Sequence, residues 1–213
     1  MTTDDLIARL AGDLKPVSPG AVIGRVVLGL GLGLAASSIL MLAWLGMRPD
    51  LMAATGTMPF WSKLAYTLAL AAIGASAVKR IAHPLGSIWP NLVLMLAGLL
   101  LLGVLAGMQL AMAPPERYPE LLIGKSMAVC TFNIVMLSLP FLIGAFWVLR
   151  GLAPTRLTVA GGAAGLAAGA MGALVYSFHC TESGMPFVAV WYTLGVLVPG
   201  LIGAAAGRFV LRW

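Results

Sequence analysis

The sequence predicts an all-α polytopic membrane protein, a bundle of six transmembrane helices with both the N-terminus and the C-terminus in the cytoplasm. Hydrophobic residues make up 61% of the 213 positions, charged residues only 9%, and the mean hydropathy is +1.00. Soluble domains carry about 25% charged residues, so this composition indicates a protein of the bilayer. Six nearly charge-free runs have about the 20 residues that a helix needs to cross the hydrocarbon layer.

The six predicted spans cover residues 26–46, 60–78, 89–112, 126–149, 157–178 and 187–207. Each run is continuously apolar rather than apolar at every second residue, which favours helices over barrel strands. Lys63, near the start of the second span, is expected to extend toward the lipid head groups. Residues 1–20 form a cytoplasmic N-terminal tail with a short amphipathic helix, and residues 21–213 form the six-helix transmembrane domain.

Glycines spaced four residues apart recur in four of these spans. Such spacing opens one face of a helix to the close approach of a neighbour. We therefore expect the following glycines to pack within the bundle: Gly29, Gly33, Gly103, Gly107, Gly161, Gly165, Gly169, Gly203 and Gly207.

The distribution of basic residues predicts the orientation, because Lys and Arg are retained on the cytoplasmic side of a membrane. With the N-terminus inside, four of the thirteen basic residues lie outside, and the other nine lie in the cytoplasm. The four are Arg48, Lys63, Arg117 and Lys125. The net charge of +6 is therefore a signal of topology, and no direct nucleic acid binding is expected.

The two cysteines of the chain are predicted to lie at the outer end of neighbouring helices. Cys130 precedes Arg150 by 20 residues, and Cys180 follows Arg156 by 24 residues. The short loop between these two arginines makes the fourth and fifth spans a hairpin. A helical rise then places the two cysteines about 6 Å apart in height.

Three interpretations of this pair stay open. A disulfide between Cys130 and Cys180 is allowed by the arithmetic and favoured by an oxidising compartment. Together with His179 and Glu182, the two thiols would also form a ligand set for a soft or borderline metal ion. Alternatively, both cysteines are small apolar residues buried between helices.

The N-terminal tail carries the pattern of a partner-binding helix. Thr3 can cap such a helix, with Asp4 and Asp5 in its first turn. The apolar positions that then share one face are Leu6, Ile7, Leu10 and Leu14. Interfacial helices usually carry basic residues, whereas residues 1–15 hold three acids against two bases, so a helix-in-groove contact with a protein is favoured. A simple lead-in to the first span is the alternative.

Several function classes lack their required residues. Ion-coupled transport usually needs ionisable groups buried within the spans, and all seven acids fall in tails or loops. No Ser-His-acid set, HExxH motif or phosphate loop is present, so we expect no enzyme activity and no required cofactor beyond transient binding of a metal ion. The alternatives kept are a metal transporter and a small membrane thiol redox enzyme, although the latter usually also has a CxxC pair.

Three stretches of the sequence resemble a known family. They are "TTDDLIARLAGDLKPV" at the N-terminus, "GKSMAVCTFNIVMLSLP" around Cys130, and "HCTESGMPFVAVWYTLGVLVPGLIGAAAGRFVLRW" at the C-terminal end. They are similar to the negative regulator of sigma F family, six-span anti-sigma factors of the bacterial inner membrane. Cys130 and Cys180 match the paired cysteines of that family.

The resemblance implies a multi-pass protein of the bacterial inner membrane that acts as a stress sensor. Its expected partners are the lipid bilayer and an extracytoplasmic-function sigma factor, which it sequesters at the cytoplasmic side. Heavy-metal or oxidative stress would free the sigma factor. Under this interpretation Cys130 and Cys180 are the sensor thiols.

Overall fold

The structure, a computed structural model, describes residues 2–12, 20–81, 86–152 and 154–212. Within these ranges all regular elements are helical. The α-helices are α1 (Thr3–Gly12), α2 (Ala21–Trp44), α3 (Leu51–Ala54), α4 (Met58–Ile81), α5 (Trp89–Met112), α6 (Tyr118–Leu122), α7 (Met127–Arg150), α8 (Leu157–Tyr176), α9 (Met185–Phe187) and α10 (Thr193–Val210). A 3-10 turn (Pro115–Arg117) precedes α6, and a π-helical turn (Val188–Tyr192) joins α9 to α10.

In the described part of the chain, six helical segments are long and apolar enough to cross a membrane. They are α2, α4, α5, α7 with the short helices before it, α8, and the continuous helix from α9 to α10. Their bounds agree with the predicted spans to within a few residues, except that the fourth segment begins at Pro115, well before the predicted start at residue 126. The all-α, six-helix prediction is confirmed. The cytoplasmic placement of both termini stays a prediction.

Helix α8 forms the centre of the bundle and packs against α10, α7 and α4. Its small residues allow backbone contact, because a Cβ atom at Gly165 would overlap the carbonyl oxygen of Pro199 in α10. On the other side of the bundle, a Cβ at Gly29 of α2 would lie 2.7 Å from Val148 of α7. Close packing is therefore confirmed for the glycines predicted in α2, α8 and α10.

The same prediction is wrong for Gly103 and Gly107. A Cβ atom at either position would meet nothing within 4 Å. Helix α5 lies at the edge of the bundle, where it packs against α4 and α9 and buries Leu102 and Ala106 instead. The glycine spacing permits a close approach, but the edge position of α5 leaves this face without a neighbouring helix of the chain.

Three loops meet at one end of the bundle, which we call the cysteine end. It consists of residues 45–57, 113–126 and 177–184 together with the helical turns next to them, including the first turn of α7. The first and third loops are joined directly, since the backbone amide of Arg48 donates a hydrogen bond of 3.1 Å to the carbonyl oxygen of Phe178. This end carries both cysteines of the chain.

Candidate functional site

The two thiols lie together, buried at the cysteine end. Cys130 is in the first turn of α7, and Cys180 follows the last turn of α8, where its amide donates to the carbonyl of Tyr176 at 3.0 Å. Their exposed fractions are 0% and 3%, and both thiols are free. A hydrogen bond from Cys130 and the charge of nearby Lys63 lower the pKa of the Cys180 thiol, although burial opposes this shift.

Two buried tyrosines lie beside the thiols. Tyr176 ends α8, Tyr192 ends the π-helical turn, and their ring centres are 5.9 Å apart. Tyr176 is close to Cys130 and Tyr192 is close to Cys180. The π-helical turn adds one residue to the helical repeat, a distortion that often occurs at functional sites.

Lys63 holds the backbone of the loop that carries Cys180. Its ammonium donates to the carbonyl oxygen of Cys180 at 2.8 Å and to that of Glu182 at 2.9 Å, and the residue is only 1% exposed. The same ammonium lies 5.8 Å from the ring centre of Tyr192. The prediction that Lys63 extends toward the head groups is therefore wrong, because two loop carbonyls bind it inside the bundle. Lys63 is also an ionisable group buried within a span, a feature that the sequence interpretation did not find.

Arg48 donates to the same loop as Lys63. Its Nη1 donates to the carbonyl oxygen of Cys180 at 3.2 Å, and its Nε and Nη2 form a two-pronged contact with the Asp50 carboxylate at 2.8 and 2.7 Å. This contact raises the pKa of Arg48 and lowers that of Asp50. The Cys180 peptide thus accepts hydrogen bonds from two cations.

The imidazole of His179 is bonded to the backbone at the end of α2. Its Nδ1 lies 2.9 Å from the carbonyl oxygen of Gly46, and since a carbonyl can only accept, Nδ1 carries the proton. Gly46 itself has a φ of +73°, a left-handed conformation that glycine adopts without strain. The imidazole therefore ties the 177–184 loop to the end of α2.

Glu182 also bonds elsewhere, to the start of α7. Its Oε1 accepts from the Lys125 amide at 2.8 Å and from the Ser126 hydroxyl at 3.5 Å. Gly124 has a φ of +57°, and a Cβ there would lie 2.8 Å from the carboxylate, so the turn needs glycine for both reasons. Glu182 thereby fixes the 113–126 loop to the 177–184 loop.

The predicted four-ligand metal set is thus only half assembled. The structure brings Cys130 and Cys180 together, while the side chains of His179 and Glu182 bond to other partners. Across the described ranges, no group of three or more His, Cys, Asp and Glu side chains could hold a metal ion. What the arrangement offers chemically is a pair of adjacent thiols beside a cation.

Comparison with known proteins places this arrangement in a family. The model for the negative regulator of sigma F matches residues 10–213. The chain belongs to this family. It is 42% identical to the anti-sigma-F factor NrsF of Caulobacter vibrioides (strain NA1000 / CB15N) and 39% identical to the probable anti-sigma-F factor NrsF of Azospira oryzae (strain ATCC BAA-33 / DSM 13638 / PS). Both alignments cover 100% of each chain, and no solved structure matches.

Family membership confirms the resemblance drawn from three stretches of sequence. The matched region of the negative regulator of sigma F family includes both cysteines and all six candidate spans. It begins at residue 10, so most of α1 precedes it, although the two relatives align over their full length. The relatives carry the names of regulatory proteins.

Four residues around the thiols were missed by sequence reasoning: Arg48, Lys63, Tyr176 and Tyr192. The signal available for Lys63 was a basic residue inside an otherwise apolar run. Arg48 entered the sequence analysis only as one of the four outer basic residues, and the two tyrosines were not considered there. Their common position around the thiols becomes visible only in the folded bundle.

The predicted partner-binding residues lie in and after α1. Asp4 and Asp5 are exposed, Ile7 is 58% exposed, and Leu6 and Leu10 lie within the helix, whereas Leu14 is outside the described residues. The predicted cap at Thr3 is wrong by one position. The hydroxyl of Thr2 accepts from the Asp5 amide at 3.3 Å, and the Asp5 carboxylate accepts from the Thr2 amide at 3.2 Å. This reciprocal pair is a capping box, and hydrogen bonding by Thr2 lowers the pKa of Asp5.

Proposed function

We propose that this protein is an anti-sigma factor of the bacterial inner membrane. It sequesters an extracytoplasmic-function sigma factor at its cytoplasmic face and releases it when Cys130 and Cys180 react with an oxidant or a metal ion. The observation that carries this proposal is the full-length similarity to two proteins that are named as anti-sigma-F factors. The adjacent buried thiols support the sensing part.

The thiol pair is suited to two kinds of signal. A peroxide would take two electrons and two protons from Cys130 and Cys180, leaving a disulfide and water as products. The lowered pKa of Cys180 makes it the attacking thiol: its sulfur takes one peroxide oxygen to form a sulfenic acid, and the other oxygen leaves as water. The Cys130 thiol then attacks that sulfur, and the sulfenic hydroxyl leaves as a second water. A soft or borderline cation would instead bind both sulfurs and release their protons.

The orientation of the chain is part of this proposal. The distribution of positively charged residues favours a cytoplasmic location for the end of the bundle opposite the cysteine end, where α2 begins. In a variant with both native cysteines replaced by alanine, an impermeant maleimide added to intact cells should label Glu116→Cys but not Thr155→Cys. Both positions are exposed loop residues, so they form a matched pair. Labelling of Thr155→Cys alone would reverse the orientation.

The sigma factor should be recovered directly with the protein. Cross-linking in intact cells, followed by affinity purification of the tagged full chain and mass spectrometry, should yield a sigma factor as an enriched protein. Exposure to peroxide or cadmium before cross-linking should reduce its recovery, whereas the Cys130→Ser variant should retain it under the same treatment. If no sigma factor is enriched in unstressed cells, the proposed function is wrong.

A further inference from the structure

The ammonium of Lys63 is buried, and backbone carbonyls rather than a carboxylate accept its hydrogen bonds. Both of its hydrogen bonds go to loop carbonyls, those of Cys180 and Glu182. Among the residues that the structure describes, neither ion pair includes Lys63. Burying a charge without a carboxylate is unfavourable unless its hydrogen-bonding capacity is used, and an apolar side chain would fill the same space at less cost. The buried ammonium therefore needs an explanation other than packing, and its two hydrogen bonds indicate that it holds residues 180–182 in place.

Within that segment, the carbonyl oxygens of Cys180 and Glu182 have little support besides two cationic side chains. Residues 177–184 include no helix beyond the turn that ends α8. The Cys180 amide is held by α8 through the Tyr176 carbonyl, but the Cys180 carbonyl is held only by Lys63 and Arg48 within the described ranges. Two cations from distant parts of the chain thus fix the peptide group that follows the thiol.

We propose that Lys63, assisted by Arg48, is a positioning residue of the thiol pair. By holding the backbone of residues 180–182, it keeps the Cys180 thiol buried against Cys130. The inference rests on the proposed function, in which these thiols receive the signal. Because Lys63 belongs to α4, a displacement of Cys180 on reaction would be passed to a helix whose far end carries Lys79 and Arg80.

The test measures how fast Cys180 reacts when Lys63 is changed. The full chain with Cys130→Ser is placed in lipid nanodiscs, which expose both faces to reagent, and modification by a polyethylene glycol maleimide is followed by gel shift. Lys63→Met should raise the rate about tenfold, since losing two charged hydrogen bonds favours local opening of the loop. Lys63→Arg should keep the rate close to that of the parent protein.

Whether the labelling rate rises or falls distinguishes an effect of Lys63 on the exposure of the Cys180 thiol from an effect of its charge on the thiolate fraction. Maleimide reacts with the thiolate, and removing a positive charge beside Cys180 can only reduce the thiolate fraction. A faster rate in Lys63→Met therefore reports exposure of the thiol. The matched control is Ser37→Ala, which removes another buried bond to a carbonyl, that of Leu137 at 2.9 Å, away from the loop. It should leave the rate unchanged.

An unchanged or slower rate in Lys63→Met, with a folded protein, would overturn the inference. If that variant does not fold, Arg48→Met decides, because Arg48 binds the same carbonyl: faster labelling supports positioning, and an unchanged rate contradicts it. No sigma factor is present in this assay. Its outcome is thus independent of whether the protein sequesters one, and failure of the proposed function would be seen only in the recovery experiment.

Discussion

Replacing Cys130 with serine should abolish stress induction of the sigma-dependent genes, and Cys180→Ser should do the same to an equal extent. The double substitution should be no worse than either single one. The reason is that a disulfide or a two-sulfur metal site needs both thiols, so that residues acting as one unit give non-additive effects. A transcriptional reporter, measured before and after exposure to peroxide, cadmium or chromate, checks all three variants.

Ser177→Ala provides the control for this experiment. Ser177 is as buried as the cysteines and lies in the same loop as Cys180, but its hydroxyl bonds only within the last turn of α8, to the Ala173 carbonyl at 2.9 Å. That variant should respond like the parent protein. A double cysteine variant markedly worse than either single one would mean that the thiols act separately. A normal response in all three would assign the cysteines a packing role only.

That the two cysteines lie at similar heights in the bundle was accessible from the sequence because helices have a fixed rise. Cys130 and Cys180 lie on a hairpin with a short connection, so counting residues from that loop gives their relative heights. The spans themselves were predictable for a similar reason, since the bilayer sets the length of an apolar run. Counting residues along one helix or one hairpin gives relative heights reliably, because the result does not depend on how the other helices pack.

The cations around the thiols were not accessible in this way. Lys63 and Arg48 bind backbone carbonyls. Every residue has a backbone carbonyl, so the residue types in a sequence do not show which residues accept these hydrogen bonds. The two cations also lie 117 and 132 residues from Cys180 in the sequence. Gly103 shows the complementary limit. Glycine spacing indicates that a helix face can accept a close neighbour, but only the packing of the bundle decides whether a neighbour is there.

Deleting residues 2–12 should release the sigma factor without stress, and Leu6→Asp or Leu10→Asp should have the same effect. A helix of this length is marginal alone, so α1 is expected to be stabilised by a partner. In a helix-in-groove contact, the loss of an apolar anchor costs about 2 kcal/mol, which weakens binding about 30-fold. The sigma-dependent reporter should then be active in unstressed cells, while the amount of protein in the membrane is unchanged.

Ala8→Asp is the matched control, because it adds the same charge to the same helix. Position 8 lies about 155° around α1 from the centre of the face that carries Leu6, Ile7 and Leu10, at 100° per residue. If this face binds the sigma factor, the reporter in unstressed cells should stay inactive with Ala8→Asp and become active with Leu10→Asp. Equal activation by both would indicate that any added negative charge near the membrane disturbs the protein. If the deletion variant still represses the reporter completely, the binding role would instead belong to the basic segments at the ends of α4 and α7, around Arg80 and Arg150.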